Sequence, residues 1–252
     1  MKKHIYFILV LLIALSLAGC TSPTKTLTIS AASSLKNSLE SIKVLYKQAK
    51  PNVEVTFNFG SSGDLQQQIE NGAPVDVFVS AAKKQMNALE EKGLLLNGTK
   101  KNLLENKLVL ITPKDKKIIK GFEDLATDTV KQIAIGEPAS VPAGQYAQEV
   151  FTKFGFLDKI KPKTIYGKDV KQVLTYVEQG EVDAGVVYAT DAKASSKVNI
   201  VSTAPKDSHT PVIYPVAVIK ASKNEATSKE FIEFLFSDTA KAVFKADGFE
   251  NL

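Results

Sequence analysis

The 252-residue chain has no arginine and no tryptophan, a single cysteine and two histidines. Each shortage removes a class of function. Without arginine there is no planar guanidinium fork to grip a phosphate or a guanine through two parallel hydrogen bonds. Lysine alone supplies the 32 basic side chains set against 27 acids, and they are scattered. The densest cluster, Lys114-Asp-Lys-Lys117, reads as a solvated loop, so no nucleic-acid partner is expected. One cysteine, Cys20, allows neither an internal disulfide nor a thiolate metal site. His4 sits at the extreme N-terminus, which leaves His209 alone in the body and excludes the usual zinc sites. Asp64, Asp76, Asp169, Asp183 and Asp191 lack EF-hand spacing and read as caps, turns and solvated ends. Neither a Walker A loop nor Gly-x-Gly-x-x-Gly occurs.

Long apolar runs are also absent, except at the start. Lys2, Lys3 and His4 precede the apolar stretch Ile5 to Ala18, followed by Gly19-Cys20. A basic end, a short apolar run and small residues describe an export signal rather than a membrane-spanning helix. Leu17-Ala18-Gly19-Cys20 resembles the bacterial lipobox, in which the cysteine is lipidated and becomes the first residue after cleavage. The expectation is therefore a signal over 1–19, then Cys20 and a polar tether over 20–25, anchoring an exported protein to the outer face of the cytoplasmic membrane. Each buried lipid methylene contributes about 0.8 kcal/mol, so a two- or three-chain anchor holds where one chain is marginal. Losing Lys2 and Lys3 with the signal lowers the formal charge from +5 to +3.

What remains alternates β-type and helical runs. Leu27-Thr-Ile-Ser30, Val53–Phe59, Val75–Val79, Lys107–Thr112, Gln132–Gly136, Thr164–Tyr166, Ala184–Tyr188, Val198–Val201 and Tyr214–Ile219 read as strands. Helices are expected over Leu35–Ala49, from Leu65, over Lys83–Glu91, Gln145–Phe154, Lys171–Gln179, Ser228–Phe236 and Thr239–Lys245. This alternation predicts an α/β fold with mostly parallel sheets. Ligands in such folds lie beyond the carboxyl ends of the strands. Four turns of one chemical kind fall there: Ala32-Ser-Ser34, Gly60-Ser-Ser-Gly63, Val141-Pro-Ala-Gly144 and Gly167-Lys-Asp-Val170. Each is small or hydroxylic and each opens a helix, where unpaired N–H groups and about half a positive charge suit an anion. A fifth strand end brings Tyr188, a phenolic donor. Ser34 and Asp169 are the expected N-caps of their helices.

Catalysis finds little support. A serine nucleophile needs a base within reach. His209 lies in the loop Asp207-Ser-His-Thr-Pro211, away from Ser34 and Ser62, and Gly60-Ser-Ser-Gly63 has the wrong spacing for a nucleophile elbow. An exported hydrolase using His209 stands as the rival to an anion-binding protein, and a surface histidine in a polar loop is the better reading.

Six stretches together carry a resemblance: Leu27-Thr-Ile-Ser-Ala-Ala-Ser-Ser-Leu35, the Gly60 turn, Gly72-Ala-Pro-Val-Asp-Val-Phe-Val-Ser-Ala81, Gly136-Glu-Pro-Ala-Ser-Val-Pro-Ala-Gly-Gln-Tyr-Ala147, Gly185-Val-Val-Tyr-Ala-Thr-Asp-Ala192 and Tyr214-Pro-Val-Ala-Val218. From about Thr26 to Phe249 the chain is similar to the molybdate-binding proteins of bacterial ABC transporters. The resemblance implies a two-lobed periplasmic-binding-protein fold of type II, with the oxyanion in the cleft between lobes. Lobe one would be 26–106 plus 217–252 and lobe two 107–216, with crossovers around Lys107–Thr112 and Tyr214–Ala217. It implies that molybdate, and tungstate with it, is held by Ser34, Ser62, Ala143, Val170 and Tyr188, with no direct bond from protein to metal and no cofactor. It further implies a monomer that delivers its ion to a membrane permease. Selectivity for tungstate alone, or for sulfate, is the alternative on the same fold. Asp64 departs from some relatives, and an acid beside a dianion is unfavourable unless it points to solvent.

Overall fold

The computed structural model describes residues 24–116 and 118–252. The expected export signal, Cys20 and the first part of the expected tether lie outside the described residues. Among those described, no helix is long and apolar enough to cross a membrane.

The chain begins with β1 (Lys25–Ala32), a 3-10 turn (Ser33–Leu35), α1 (Lys36–Ala49), β2 (Val53–Gly60), α2 (Ser62–Glu70), β3 (Val77–Val79), α3 (Lys83–Glu91) and β4 (Lys101–Asn106). It then crosses at Lys107 into β5 (Leu108–Pro113), a 3-10 turn (Phe122–Ala126), β6 (Ile133–Gly136), α4 (Pro142–Lys153), α5 (Leu157–Ile160), β7 (Thr164–Gly167), α6 (Val170–Glu178), β8 (Ala184–Tyr188), α7 (Ala189–Lys193) and β9 (Val198–Thr203). It returns through β10 (Val212–Val218), α8 (Glu225–Leu235), α9 (Asp238–Asp247) and β11 (Glu250–Asn251). Two sheets result, one ordered β11-β4-β10-β3-β1-β2 and the other β7-β6-β8-β5-β9.

The α/β class and the two-lobed layout agree with the sequence reading. The expectation of mostly parallel sheets is corrected: both sheets are mixed. In each, the strands that lead into the cleft are parallel, β1 with β2 and β3, and β6 with β7 and β8. The strands on either side of the crossovers run antiparallel: β10 with β3 and β4, β11 with β4, and β5 with β8 and β9. A second correction concerns the return crossover. β10 lies wholly in the six-stranded sheet, so a division at 216/217 would cut a strand, and the return falls in the segment 204–211.

Packing explains why these elements form. In α1 the helically spaced Leu39, Ile42 and Tyr46 are buried, and the Tyr46 ring meets Phe231 and Phe234 of α8 edge-on at 5.0 and 5.1 Å. Alternation along β3 sends Val77 and Val79 to that side, while Phe78 joins Leu65, Ile69, Met86 and Leu89 beneath α2 and α3. Covered on both faces, the sheet needs strands without a polar face. β5, β8 and β10 are accordingly buried at every residue.

Candidate oxyanion-binding site

The five residues singled out from sequence line one small cavity between the lobes. Ser34 and Ser62 come from the first lobe, Ala143, Val170 and Tyr188 from the second, and Ala32, Ser33, Gly60, Ser61, Ala81, Val141 and Pro142 complete the wall. Its empty volume is about 200 Å³, open solvent included. No acidic or basic side chain lines it.

In the first lobe the hydroxyls are already held. Ser62 is the first residue of α2 and fully buried. Its Oγ accepts the Ala81 N–H at 2.9 Å, which leaves the Ser62 proton free to donate. Ser61 is the N-cap of α2, its Oγ accepting from Asp64 N–H at 3.1 Å. Asp64 is exposed, so its carboxylate reaches solvent rather than the cavity. Ser34 differs from expectation. It caps no helix; it sits in the 3-10 turn, α1 starts at Lys36 with Leu35 before it, and Ser34 Oγ lies 3.0 Å from Tyr214 Oη instead. The main chain after β1 tightens before it becomes α-helical, and that turn points Ser34 inward.

In the second lobe the donors are free. Asp169 caps α6 as expected, its Oδ1 accepting from Gln172 N–H at 2.9 Å, and Val170 is the first helical residue. α4 begins at Pro142, three residues earlier than expected, since proline at the first helical position loses no bond. Ala143 is thus inside the first turn. First-turn amides have no intrahelical acceptor, and among the described turn and cap bonds none uses the amides of Ser62, Ala143 or Val170. Tyr188 ends β8, and its hydroxyl is buried without a hydrogen-bond partner. Burial pushes the Tyr188 and Tyr214 hydroxyls well above the ordinary phenol range, so both stay protonated and neutral.

Beneath these donors lies an ion pair the sequence reading missed. Asp191 of α7, read as a solvated turn residue, is fully buried, with Lys171 Nζ of α6 at 2.8 Å from its Oδ1. Burial raises the Asp191 pKa, and Lys171 opposes that rise. The pair ties the helix that carries Val170 to the helix that follows Tyr188.

The lobes touch across the cavity. Gly63 N–H donates to Ser140 O at 2.8 Å, and a Cβ at Gly63 would lie 2.6 Å from the Ser140 Cα and O. Only glycine permits that approach. Tyr146 Oη donates to Ala81 O at 3.4 Å, again lobe to lobe. His209 takes no part: its Nδ1 is 2.7 Å from Thr210 O, and it does not line the cavity. With no base at either serine, the arrangement holds a ligand and has no means to cleave one. Among the described residues there is also no group of three or more metal-ligating side chains.

Residues 27–250 match the family model described as bacterial extracellular solute-binding protein. The chain is 44% identical to YvgL of Bacillus subtilis, a protein named as an ABC transporter substrate-binding lipoprotein, over 98% of each chain. It is 42% identical to the molybdate-binding protein ModA of Haemophilus influenzae over 99% of each. The solved periplasmic molybdate-binding protein of Azotobacter vinelandii superposes with a TM-score of 0.80 at 27% identity, covering 88% of this chain and 98% of that one. The chain belongs to the bacterial extracellular solute-binding proteins that serve ABC transporters, a family that binds its substrate and does not turn it over.

Proposed function

We propose that this protein captures molybdate, and tungstate with it, and hands the ion to the membrane permease of an ABC importer. The observation that carries the reading is the buried, unpartnered Tyr188 hydroxyl at the wall of a small cavity lined only by neutral groups. An orphaned buried donor costs about 1–3 kcal/mol, a cost that an anion in the cavity removes. The names of the relatives support molybdate as that anion.

The chemistry of the wall fits a tetrahedral dianion. Ser34, Ser62 and Tyr188 offer hydroxyl protons; Ala143 and Val170 offer amides at helix starts. Hydrogen bonds to a charged group contribute roughly 1.5–3 kcal/mol each, so these five give some 8–15 kcal/mol gross. Ordering and desolvation remove a large share, leaving micromolar to nanomolar binding within reach. Size supplies selectivity. Donors on two lobes meet an ion of molybdate or tungstate radius together, whereas sulfate and phosphate are too small to touch both sides once Gly63 and Ser140 are in contact. The permease would read that closure.

The lipobox-like Leu17-Ala18-Gly19-Cys20 and the lipoprotein name of YvgL support anchoring through Cys20 on the outer face of the cytoplasmic membrane. Cys20→Ala should then release the protein into the medium. Calorimetric titration with molybdate, tungstate, sulfate and phosphate tests the ligand. Tight binding of the first two and weak binding of the others is expected; comparable sulfate binding would assign the cleft to another oxyanion.

A further inference from the structure

Asn106 ends β4, one residue before the chain crosses to the second lobe. Its Oδ1 accepts Lys107 N–H at 2.8 Å. That bond fixes the amide's orientation, because only an oxygen can accept there. Nδ2 therefore faces the other way, 3.0 Å from Thr190 Oγ1 and 3.4 Å from Tyr214 Oη. An amide nitrogen can only donate, so Tyr214 Oη accepts. The single Tyr214 proton then goes to its remaining partner, Ser34 Oγ at 3.0 Å. Ser34 Oγ thus accepts from Tyr214, and its own proton is left for the cavity. Asn106, Tyr214, Ser34 and Thr190 are all buried, so bulk water does not compete to reverse the order.

We propose that Asn106 and Tyr214 are specificity-determining positioning residues: the Asn106–Tyr214–Ser34 relay locks Ser34 as a donor, so the cleft takes unprotonated oxyanions and rejects protonated ones such as hydrogen phosphate. The proposal rests on the oxyanion reading above and deepens it. Ser62 is locked the same way by the Ala81 N–H. Tyr188 could accept only by turning its proton into its buried surroundings, where its hydroxyl has no partner. A site whose buried groups are left unpaired by a ligand discriminates strongly against it.

Sulfate and hydrogen phosphate separate proton from size, being tetrahedral dianions of similar radius that differ by one proton. The experiment measures how well each displaces bound molybdate at mildly alkaline pH, in the wild type, Asn106→Asp and Tyr214→Phe. The carboxylate in Asn106→Asp can only accept, so it takes the Tyr214 proton, Tyr214 accepts from Ser34, and Ser34 turns its lone pairs to the cavity. Its added charge weakens both dianions alike and cancels in their ratio. The preference for sulfate over hydrogen phosphate should fall about tenfold or more in Asn106→Asp and by about threefold in Tyr214→Phe, where Ser34 is merely unlocked. An unchanged ratio in both variants, even with weaker binding overall, would mean that the two residues are only structural. Failure of the wild type to bind any of these anions overturns the oxyanion reading itself, whereas normal wild-type binding with a fixed ratio overturns the relay alone.

Discussion

In the first lobe, both serine hydroxyls facing the cavity are held by protein hydrogen bonds, Ser62 by the Ala81 N–H and Ser34 by Tyr214. In the second, the Tyr188 hydroxyl has no partner, and the elements that carry it and Val170 are tied together from beneath by the buried Lys171–Asp191 pair. One side is preorganised by hydrogen bonds; the other keeps its donors free and fixes their spacing with charge. Preorganised donors lose little on meeting an ion, so under the proposed function the first lobe would be the landing surface and the second would complete the shell on closure. The preorganised side carries its cost in dependence on neighbours, the free side in an unsatisfied buried hydroxyl.

The strongest way to break this contrast is Lys171→Met, which leaves Asp191 buried without a counter-charge. A loss of about 3–5 kcal/mol of stability is expected at neutral pH, read by denaturant unfolding. Its pH dependence has a definite sign. Burial raises the folded-state pKa of Asp191 above its unfolded value, so the folded state binds the extra proton and the carboxylate's penalty grows as pH rises through that raised pKa. The deficit of the variant should therefore shrink as the solution is acidified. A deficit that stays constant or grows toward acid would remove Asp191 as its source.

Next in size is Gly63→Ala. The added methyl meets the Ser140 backbone at 2.6 Å, so the lobes cannot close and the ion keeps only first-lobe donors. A drop in molybdate affinity of roughly 100-fold, worth about 2.7 kcal/mol, is expected by titration. Scattering should show a molecule that fails to compact when the ion is added.

Ser62→Ala and Tyr188→Phe sharpen the contrast within one pair. Each removes one donor to a charged ligand and should weaken binding by about 1–3 kcal/mol. Their effects on the ligand-free protein should differ. Ser62→Ala strands the buried Ala81 N–H and lowers the melting temperature. Tyr188→Phe deletes a hydroxyl that had no partner, leaving the melting temperature unchanged or raised. Equal destabilisation by both would erase the distinction between the lobes. The smallest effect belongs to Asp64→Asn. With its side chain in solvent, the acid is screened from the cavity, and affinity should change by less than about twofold.

Much of the site was legible in sequence because it is built from local motifs. A strand, a small turn and a helix start are contiguous, so the turns that line the cavity announce themselves, and Tyr188 ends an unbroken apolar run; Ser62, Ala143 and Val170 within those turns were singled out by the family resemblance. What holds those residues was not legible. Ser34 meets Tyr214 across 180 positions, and Asn106 meets Thr190 across 84; no spacing rule links residues so far apart. Asp191 looked like a turn acid because its partner, Lys171, is twenty residues away on another helix. Strand direction was missed for a related reason. An apolar run records that both faces are covered, not which way its neighbour runs, so β5 and β10, antiparallel to both neighbours, looked like β6, parallel to both. β4 escaped notice because charged and amide residues at its ends mask its buried Leu103 and Leu104. β10 begins at Val212, two residues before the expected Tyr214, and its register shifts at Tyr214/Pro215, where proline lacks the N–H that a regular ladder needs.

The most direct measurement is anomalous diffraction from crystals grown with tungstate, whose metal locates the ion without ambiguity. A single strong peak is expected in the interlobe cavity, with oxygens in hydrogen-bond reach of the Ser34 and Ser62 hydroxyls, the Ala143 and Val170 amides and the Tyr188 hydroxyl. A peak bound instead by lysine side chains such as Lys171 or Lys193, or one placed outside the cleft, would contradict the account.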